Sequence, residues 1–409
     1  MKKKVFFSLT LVLGILLSGC HHEVVPDGAT DQVSEQVTEP SQPTTQKAEP
    51  VIGFSATNTD RMKQWDQMNA EELQNYRSEY SRYNSYTYFE HLNVSEKLLY
   101  HAYEYALDHG FSYIWADQQL LSGMERSEFQ VLEFLSLDSA VMEQNIYRTV
   151  GEYDQSVTWI GNSTYTRIFV EDFNAQRLEN KKTAITDAMS MVYNIEEYRS
   201  CSKRYLAERF YEYLGGTVVY QEDVPNDEYL YNGLHNGRTN CDGYANAFAL
   251  MCAVAKIPCI EVKSSTSPGQ DGHTWNMAYL DGKWVHVDAT GAGEDVWTQC
   301  DSRNAHWVSF GYSDALVADR ILYSDLLPDC HQGLNHVLYQ SSHRNSDFFA
   351  QVYEEFESNN REFAIVLLGA GSIDDQTMDV LVSVLGCDLY YLYYQTVNDQ
   401  YAYFLYNDG

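Results

Sequence analysis

A cysteine, a histidine and an aspartate are spaced in this chain so that they can act as a nucleophile, a base and an orienting acid. Cys241 follows Asn240, a good N-cap residue, and apolar residues then recur every three or four positions up to about Lys256. This pattern predicts a buried helix with the thiol in its first turn. Free N–H groups and the helix dipole favour an anion there, so a thiolate forms more easily than on an ordinary cysteine.

The histidine and the aspartate lie on a predicted hairpin downstream. Asp281-Gly282 is a strong signal for a two-residue turn between two strands. Pairing back from this turn puts Asp288 opposite Trp275, so His273 lies two residues further along on the same face. Diagonal neighbours of this kind are about 7–8 Å apart at Cα, a gap that the two side chains can bridge. A carboxylate would then hold the imidazole in the orientation that activates a thiol.

Three sequence blocks around these residues resemble those of the bacterial transglutaminase-like superfamily, a branch of the papain-like cysteine enzymes. The blocks are Asn-Cys-Asp-Gly-Tyr-Ala at 240–245, His-Thr-Trp-Asn at 273–276 and Asp-Gly-Lys-Trp-Val-His-Val-Asp-Ala-Thr at 281–290. The resemblance is best over about Lys181 to Tyr323 and does not reach the C-terminal segment. Val285 and His286 depart from the residues that are common in the family at those positions.

The resemblance implies a role for each residue of the group. Cys241 would be the nucleophile, His273 the general base and acid, and Asp288 the orienting carboxylate. We also expect Asn240 and Trp275 to line the site. The backbone N–H of Cys241 would form half of an oxyanion hole. The other half is left open between Tyr231, His235 and Asn236, which all precede the cysteine. This chemistry requires no metal and no cofactor.

The start of the chain has the plan of a secretory signal. Three lysines precede the apolar run Val5 to Leu17, and Leu17-Ser18-Gly19-Cys20 resembles the lipobox of bacterial lipoproteins. The resemblance implies cleavage before Cys20 and lipid attachment to that residue. We therefore expect an exported protein that is lipid-anchored to a bacterial membrane, at the cell surface or the periplasmic face.

The predicted organisation is α+β, with a papain/transglutaminase-like core of helices packed on an antiparallel sheet. Its parts are a signal peptide at 1–19, a disordered tether at 20–59, an N-terminal α+β pre-domain at 60–175, the catalytic domain at 176–335 and a small C-terminal α/β module at 340–409. The pre-domain prediction includes a polar helix over 69–83 and a strand over 145–150. In the catalytic domain, we expect a loop between about 221 and 240, and a lid at 264–272.

The composition limits the partners. There are 58 acidic against 27 basic side chains, a formal net charge of −31. Such a surface argues against nucleic acid as a partner and is compatible with a protein or peptide substrate. Cysteine usage leaves the pairing open, since six thiols besides Cys20 and Cys241 permit many disulfide sets.

Two functions follow from these observations. The first is a thiol enzyme that acts on amide bonds through an acyl-enzyme and completes its cycle with water or with an amine; the sequence slightly favours water, because nothing identifies an acceptor lysine. The second is a non-catalytic surface protein that keeps the fold for binding or assembly. An intact Cys-His-Asp group favours the enzyme.

Overall fold

The computed structural model describes residues 51–55, 66–142, 157–160, 163–170, 175–225, 228–264, 272–292, 309–314, 321–344, 347–361, 363–369, 371–387, 389–395 and 401–407. Its α-helices are α1 (Ala70–Asn75), α2 (Val94–His109), α3 (Gln118–Leu121), α4 (Glu128–Asp138), α5 (Ala175–Asn194), α6 (Lys203–Thr217), α7 (Tyr229–Asn236), α8 (Cys241–Val254), α9 (Phe348–Ser358) and α10 (Asp375–Leu385). Its strands are β1 (Val51–Ser55), β2 (Asp66–Asn69), β3 (Tyr113–Asp117), β4 (Val157–Ile160), β5 (Ser163–Phe169), β6 (Val219–Tyr220), β7 (Arg238–Thr239), β8 (Cys259–Lys263), β9 (Thr274–Leu280), β10 (Lys283–Val287), β11 (Phe310–Tyr312), β12 (Leu338–Gln340), β13 (Phe363–Leu368), β14 (Leu389–Gln395) and β15 (Tyr401–Asn407).

The N-terminal part is a five-stranded antiparallel sheet in the order β2-β1-β3-β5-β4, with α2 packed against β3 and α4 packed against α2. Two predictions for this part were wrong. The disordered tether was expected to reach residue 59, but 51–55 form β1, because they pair with strands on both sides. The helix expected over 69–83 ends at Asn75, and only a 3-10 turn, Ser81–Tyr83, follows. The strand predicted at 145–150 lies outside the described residues.

The central part has the predicted arrangement of helices on an antiparallel sheet. The strands run in the order β11-β10-β9-β8, and every neighbouring pair is antiparallel. The hairpin register is confirmed: Leu280 lies opposite Lys283 and Val287 opposite Asn276. Asp281 and Gly282 both have positive φ, 50° and 85°, as the tight turn requires.

The segment before Cys241 differs from the prediction. Where a loop was expected, residues 229–236 form α7, which ends at Gly237 in the left-handed conformation. Helix α6 continues through Thr217, so only the two residues of β6 form a strand before this segment. β6 then pairs in parallel with β7, so the chain enters α8 from a short two-stranded ribbon.

The C-terminal part contains strand β12, helix α9, strand β13, helix α10 and the hairpin β14–β15, in that order. Its sheet has the order β12-β13-β15-β14, in which β12 runs parallel to β13 and the other pairs are antiparallel. Strand β12 was not predicted. A separate apolar cluster forms beneath this sheet, with Val352, Leu381 and Leu405 among its buried members.

The two faces of the β8–β11 sheet pack against different parts of the chain. One face, with Leu280 and Val287, joins the core formed with α5, α6, α7 and α8. The other face, with Ile260, Val262 and Met277, joins the core of the N-terminal part. The central sheet therefore has helices on one side and the pre-domain on the other.

None of the helices in the described part of the chain is long and apolar enough to cross a bilayer. The described cysteines, including Cys252 and Cys259, are free thiols. Cys300 lies outside the described residues, as do Cys20 and most of the predicted lid.

Candidate functional site

Helix α8 presents Cys241 at its first residue. The side chain of Asn240 accepts a hydrogen bond from the N–H of Gly243 at 3.3 Å, which closes the first turn as a cap. Gly243 is needed here, because a Cβ would lie 2.6 Å from the carbonyl oxygen of Tyr229 on the neighbouring helix. Cys241 is 8% exposed, so the thiol lies just beneath the surface.

The hairpin brings His273 and Asp288 together as the register predicted. The Nε2 atom of His273 lies 2.7 Å from Oδ2 of Asp288, and the two side chains are 30% and 20% exposed. The N–H of Thr290 donates to the other carboxylate oxygen at 3.1 Å, and the N–H of Asp288 donates to the carbonyl of Ser309 at 2.7 Å. The carboxylate is therefore fixed by its own backbone as well as by the ring.

Cys241 and His273 interact directly. Burial alone would lower the pKa of the imidazole, but the charge and hydrogen bond of Asp288, together with a hydrogen bond to Cys241, raise that pKa well above its ordinary value of 6.5. Burial acts to raise the pKa of Asp288, and the nearby His273 outweighs it, so the carboxyl pKa is lowered. Since Nε2 faces Asp288, Nδ1 is the ring nitrogen left for the sulphur.

A hydrogen bond also joins the two elements that carry the thiol and the imidazole. The hydroxyl of Thr274, the residue after His273, donates to Oδ1 of Asp242 at 2.7 Å. Asp242 is the residue after Cys241. The start of α8 and the start of β9 are thus tied one residue beyond the reacting pair, which limits how far they can move apart.

The three residues proposed for the second half of the oxyanion hole lie on α7 and not on a loop. The Nδ1 atom of His235 lies 2.9 Å from the Asp187 carboxylate, and its ring stacks on Tyr231, with ring centroids 4.9 Å apart. The amide of Asn236 donates to Asn232 at 2.7 Å. All three are engaged with neighbours on or beside their own helix.

Tyr220 is a neighbour of Cys241 that the sequence reasoning did not select. The pKa of its phenol is raised by burial, then by its hydrogen bond to Glu222 at 2.6 Å, with a smaller contribution from Cys241. The signal that could have found it is the pairing of β6 with β7, since the latter strand leads directly into Asn240.

A second group of the same residue types lies nearby. Ligand atoms of His286, Asp314 and Cys330 all fall within 4.8 Å of one another. The Cys330 thiol is not an activated nucleophile, because burial, with the nearby Asp314, raises its pKa to about 12, and its sulphur is 3.4 Å from the carbonyl oxygen of Tyr312.

The hydrogen bonds of His286 also decide against a metal site in this second group. Its Nδ1 accepts the indole N–H of Trp275 at 3.0 Å, and its Nε2 lies 2.8 Å from Asp314. A neutral imidazole that ligates a metal through Nε2 must carry its proton on Nδ1. That proton would face the indole N–H, so the group fits a hydrogen-bond network and not a metal centre.

Comparison with known proteins agrees with this geometry. Residues 192–289 match the model of the transglutaminase-like superfamily. This segment is a transglutaminase-like domain, and it contains Cys241, His273 and Asp288.

Among curated proteins, the chain is similar to kyphoscoliosis peptidase of Mus musculus, with 39% identity over 67 residues, and of Homo sapiens, with 38% over 67 residues. These matches cover 14% of this chain, and the chain spans about a tenth of the length of both relatives. Similar solved structures include a TGase, at 14% identity over 48% of this chain and 56% of that one, with a TM-score of 0.26. The periplasmic domain of TgpA from Pseudomonas aeruginosa matches at 14% identity over 32% and 54%, with a TM-score of 0.22.

Proposed function

We propose that this protein is a thiol enzyme that acts on amide bonds of a protein or peptide substrate through an acyl-enzyme on Cys241. The observation that carries the proposal is the contact of His273 with both Cys241 and Asp288, at the capped start of a buried helix. A structural cysteine gains nothing from an imidazole that is held by a carboxylate.

In the proposed reaction, the Cys241 sulphur attacks the amide carbonyl while His273 holds the thiol proton. The N–H of Cys241 donates to the developing oxyanion, and the imidazolium then protonates the leaving amine, so that the C–N bond breaks. Water or a second amine next attacks the thioester carbonyl and gives its proton to His273, which returns it to the sulphur. Asp288 keeps the ring in place and stabilises its charged form at each step.

We further propose that water completes the cycle and that the enzyme works outside the cell, lipid-anchored through Cys20. Support for the anchor is the sequence of the first twenty residues. Support for hydrolysis is the lack of any acceptor-lysine signal in the sequence. No cofactor enters the proposed chemistry.

The test is mass spectrometry of a peptide library incubated with the wild-type protein, with and without a small primary amine. Cleaved peptides are the expected result, and addition of the amine mass would assign transfer in place of hydrolysis. The matched variants are Cys241→Ala and Cys201→Ala, since Cys201 is a free thiol outside the site. Only Cys241→Ala should abolish the products. The proposal is contradicted if products survive this change or if the wild-type protein gives none. The binding function would then remain.

A further inference from the structure

The indole of Trp275 lies against the imidazole of His273. The ring centroids are 5.7 Å apart and the planes are inclined by 19°, so the two rings are stacked. Trp275 is 2% exposed and belongs to the core shared with the N-terminal part. A stacked ring of this size limits rotation of His273 about its side-chain bonds, provided that the indole is itself fixed.

A hydrogen bond fixes the indole. Its Nε1–H donates to Nδ1 of His286 at 3.0 Å, and His286 is fully buried. Because Nδ1 accepts, the ring proton of neutral His286 must be on Nε2, where it donates to Oδ1 of Asp314 at 2.8 Å. The tautomer is therefore determined by Trp275, which can only donate.

The far end of this chain of contacts is anchored in the backbone. The N–H of Cys330 donates to Oδ2 of Asp314 at 3.1 Å, and the N–H of Asp314 donates to the carbonyl of Cys330 at 2.9 Å. His286 also stacks on Tyr312, with centroids 5.3 Å apart. Each member thus has a defined partner, as a polar network needs if it is to hold one geometry.

We propose that Asp314, His286 and Trp275 form a positioning relay that sets the plane of the His273 ring. This inference rests on the proposed function of the Cys241 site. Trp275 contacts the His273 ring, and His286 and Asp314 act through Trp275, so that Nδ1 of His273 stays aimed at the sulphur and Nε2 at Asp288.

Two substitutions of His286 separate the halves of the relay. In His286→Asn, the side-chain oxygen reaches the place of Nδ1 and still accepts from Trp275. In His286→Gln, the amide reaches the place of Nε2 and leaves the indole N–H without an acceptor. The rate of Cys241 alkylation by iodoacetamide, followed on the Cys241 peptide from pH 4 to 10, reports the thiol–imidazole pair without a substrate.

The expected result is a fall of about tenfold in the alkylation rate at pH 6 for His286→Gln, with the acid inflection moved to higher pH, and a rate within about threefold of wild type for His286→Asn. Asp314→Ala is a second variant that should fold in any case, because its side chain is 43% exposed; it should also lower the rate.

Three results would overturn the relay. The first is a pH profile that stays at its wild-type position in both His286→Gln and Asp314→Ala, even if the melting temperature falls, because this would mean a purely structural role. The second is the same alkylation rate and pH profile in His286→Asn and His286→Gln. Tight Zn²⁺ binding that requires His286 and Cys330 would also overturn it. Failure of the proposed function looks different: Cys241 of the wild-type protein would then react no faster than Cys201, whatever residue occupies position 286.

Discussion

Replacing Asp288 by asparagine should move the proton of the thiol–imidazole pair back toward the sulphur. Asparagine keeps the shape of the side chain and an oxygen that can face His273, but it has no charge. The present contact joins Nε2 and Oδ2 at 2.7 Å. Burial of His273 continues to disfavour its charged form in the variant, while the main opposing influence is removed.

The size of the effect follows from the type of bond that is lost. A hydrogen bond to a charged group contributes about 1.5–3 kcal/mol, and the imidazolium loses this stabilisation in the variant. The pKa of His273 should therefore fall. The imidazolium–thiolate form then becomes about ten to a hundred times less populated relative to the neutral pair.

The assay is the second-order rate of Cys241 alkylation by iodoacetamide between pH 4 and 10. We expect Asp288→Asn to react at least about tenfold more slowly than wild type at pH 6, with the two rates converging at alkaline pH. The matched control is Asp329→Asn: Asp329 faces His331 at 3.8 Å, but the side chains are 86% and 78% exposed. Superimposable profiles for wild type and Asp288→Asn would refute the assigned role of this carboxylate.

The same variant gives a test through stability. The pKa of His273 is raised, so its contribution is complete below the unfolded value and is lost as the pH rises through the folded value. The pKa of Asp288 is lowered, so its contribution is complete above the unfolded value and is lost as the pH falls through the folded value. Chemical denaturation should therefore show the largest loss for Asp288→Asn between about pH 4 and 6.5, and a smaller loss on both sides.

Further predictions concern the elements around the site. Gly243→Ala should lower the free energy of unfolding by about 1–3 kcal/mol or more, because its Cβ meets a main-chain carbonyl oxygen, whereas Gly216→Ala, with open space around it, should be neutral or slightly stabilising in the same thermal melts. Thr274→Val removes the hydroxyl that ties β9 to α8 and should reduce peptide turnover more than it reduces the melting temperature; an unchanged turnover would show that this bond does not hold the site together. Burial raises the pKa of Asp138 to about 6, so its contribution to stability is complete below about pH 4 and about 3 kcal/mol is lost as the pH rises through 6; a carboxyl NMR titration with a midpoint below 4.5 would contradict this.

The contact between His273 and Asp288 could be predicted from the sequence because a two-residue turn fixes the register of a hairpin, and the register fixes which side chains share a face. Cys241 could be placed because an N-cap residue and a helical period define where a helix begins. Both signals are local. They remain readable without any knowledge of the rest of the fold.

The parts that were wrong or missed depend on contacts that are distant in sequence. Strand β1 is short, and its place is decided by pairing with β3, some sixty residues away. Helix α7 has few strong helix formers, and its packing against α8 compensates for this. His286 shares a face with Asp288 by simple alternation, yet nothing in the sequence pointed to Asp314 as its partner.

The central sheet packs against a part of the chain that lies before the family match, which begins at residue 192. Ile260, Val262 and Met277 are buried against side chains of the N-terminal part, and the hydroxyl of Tyr88 donates to the carbonyl of Glu261 at 3.0 Å. A fragment cut at residue 192 would leave that face of the sheet in water, together with the ring that lies against His273. The shortest stretch able to fold and react therefore has to include the strands and helices upstream, and a substitution in them that disturbs this packing should change the reactivity of the thiol.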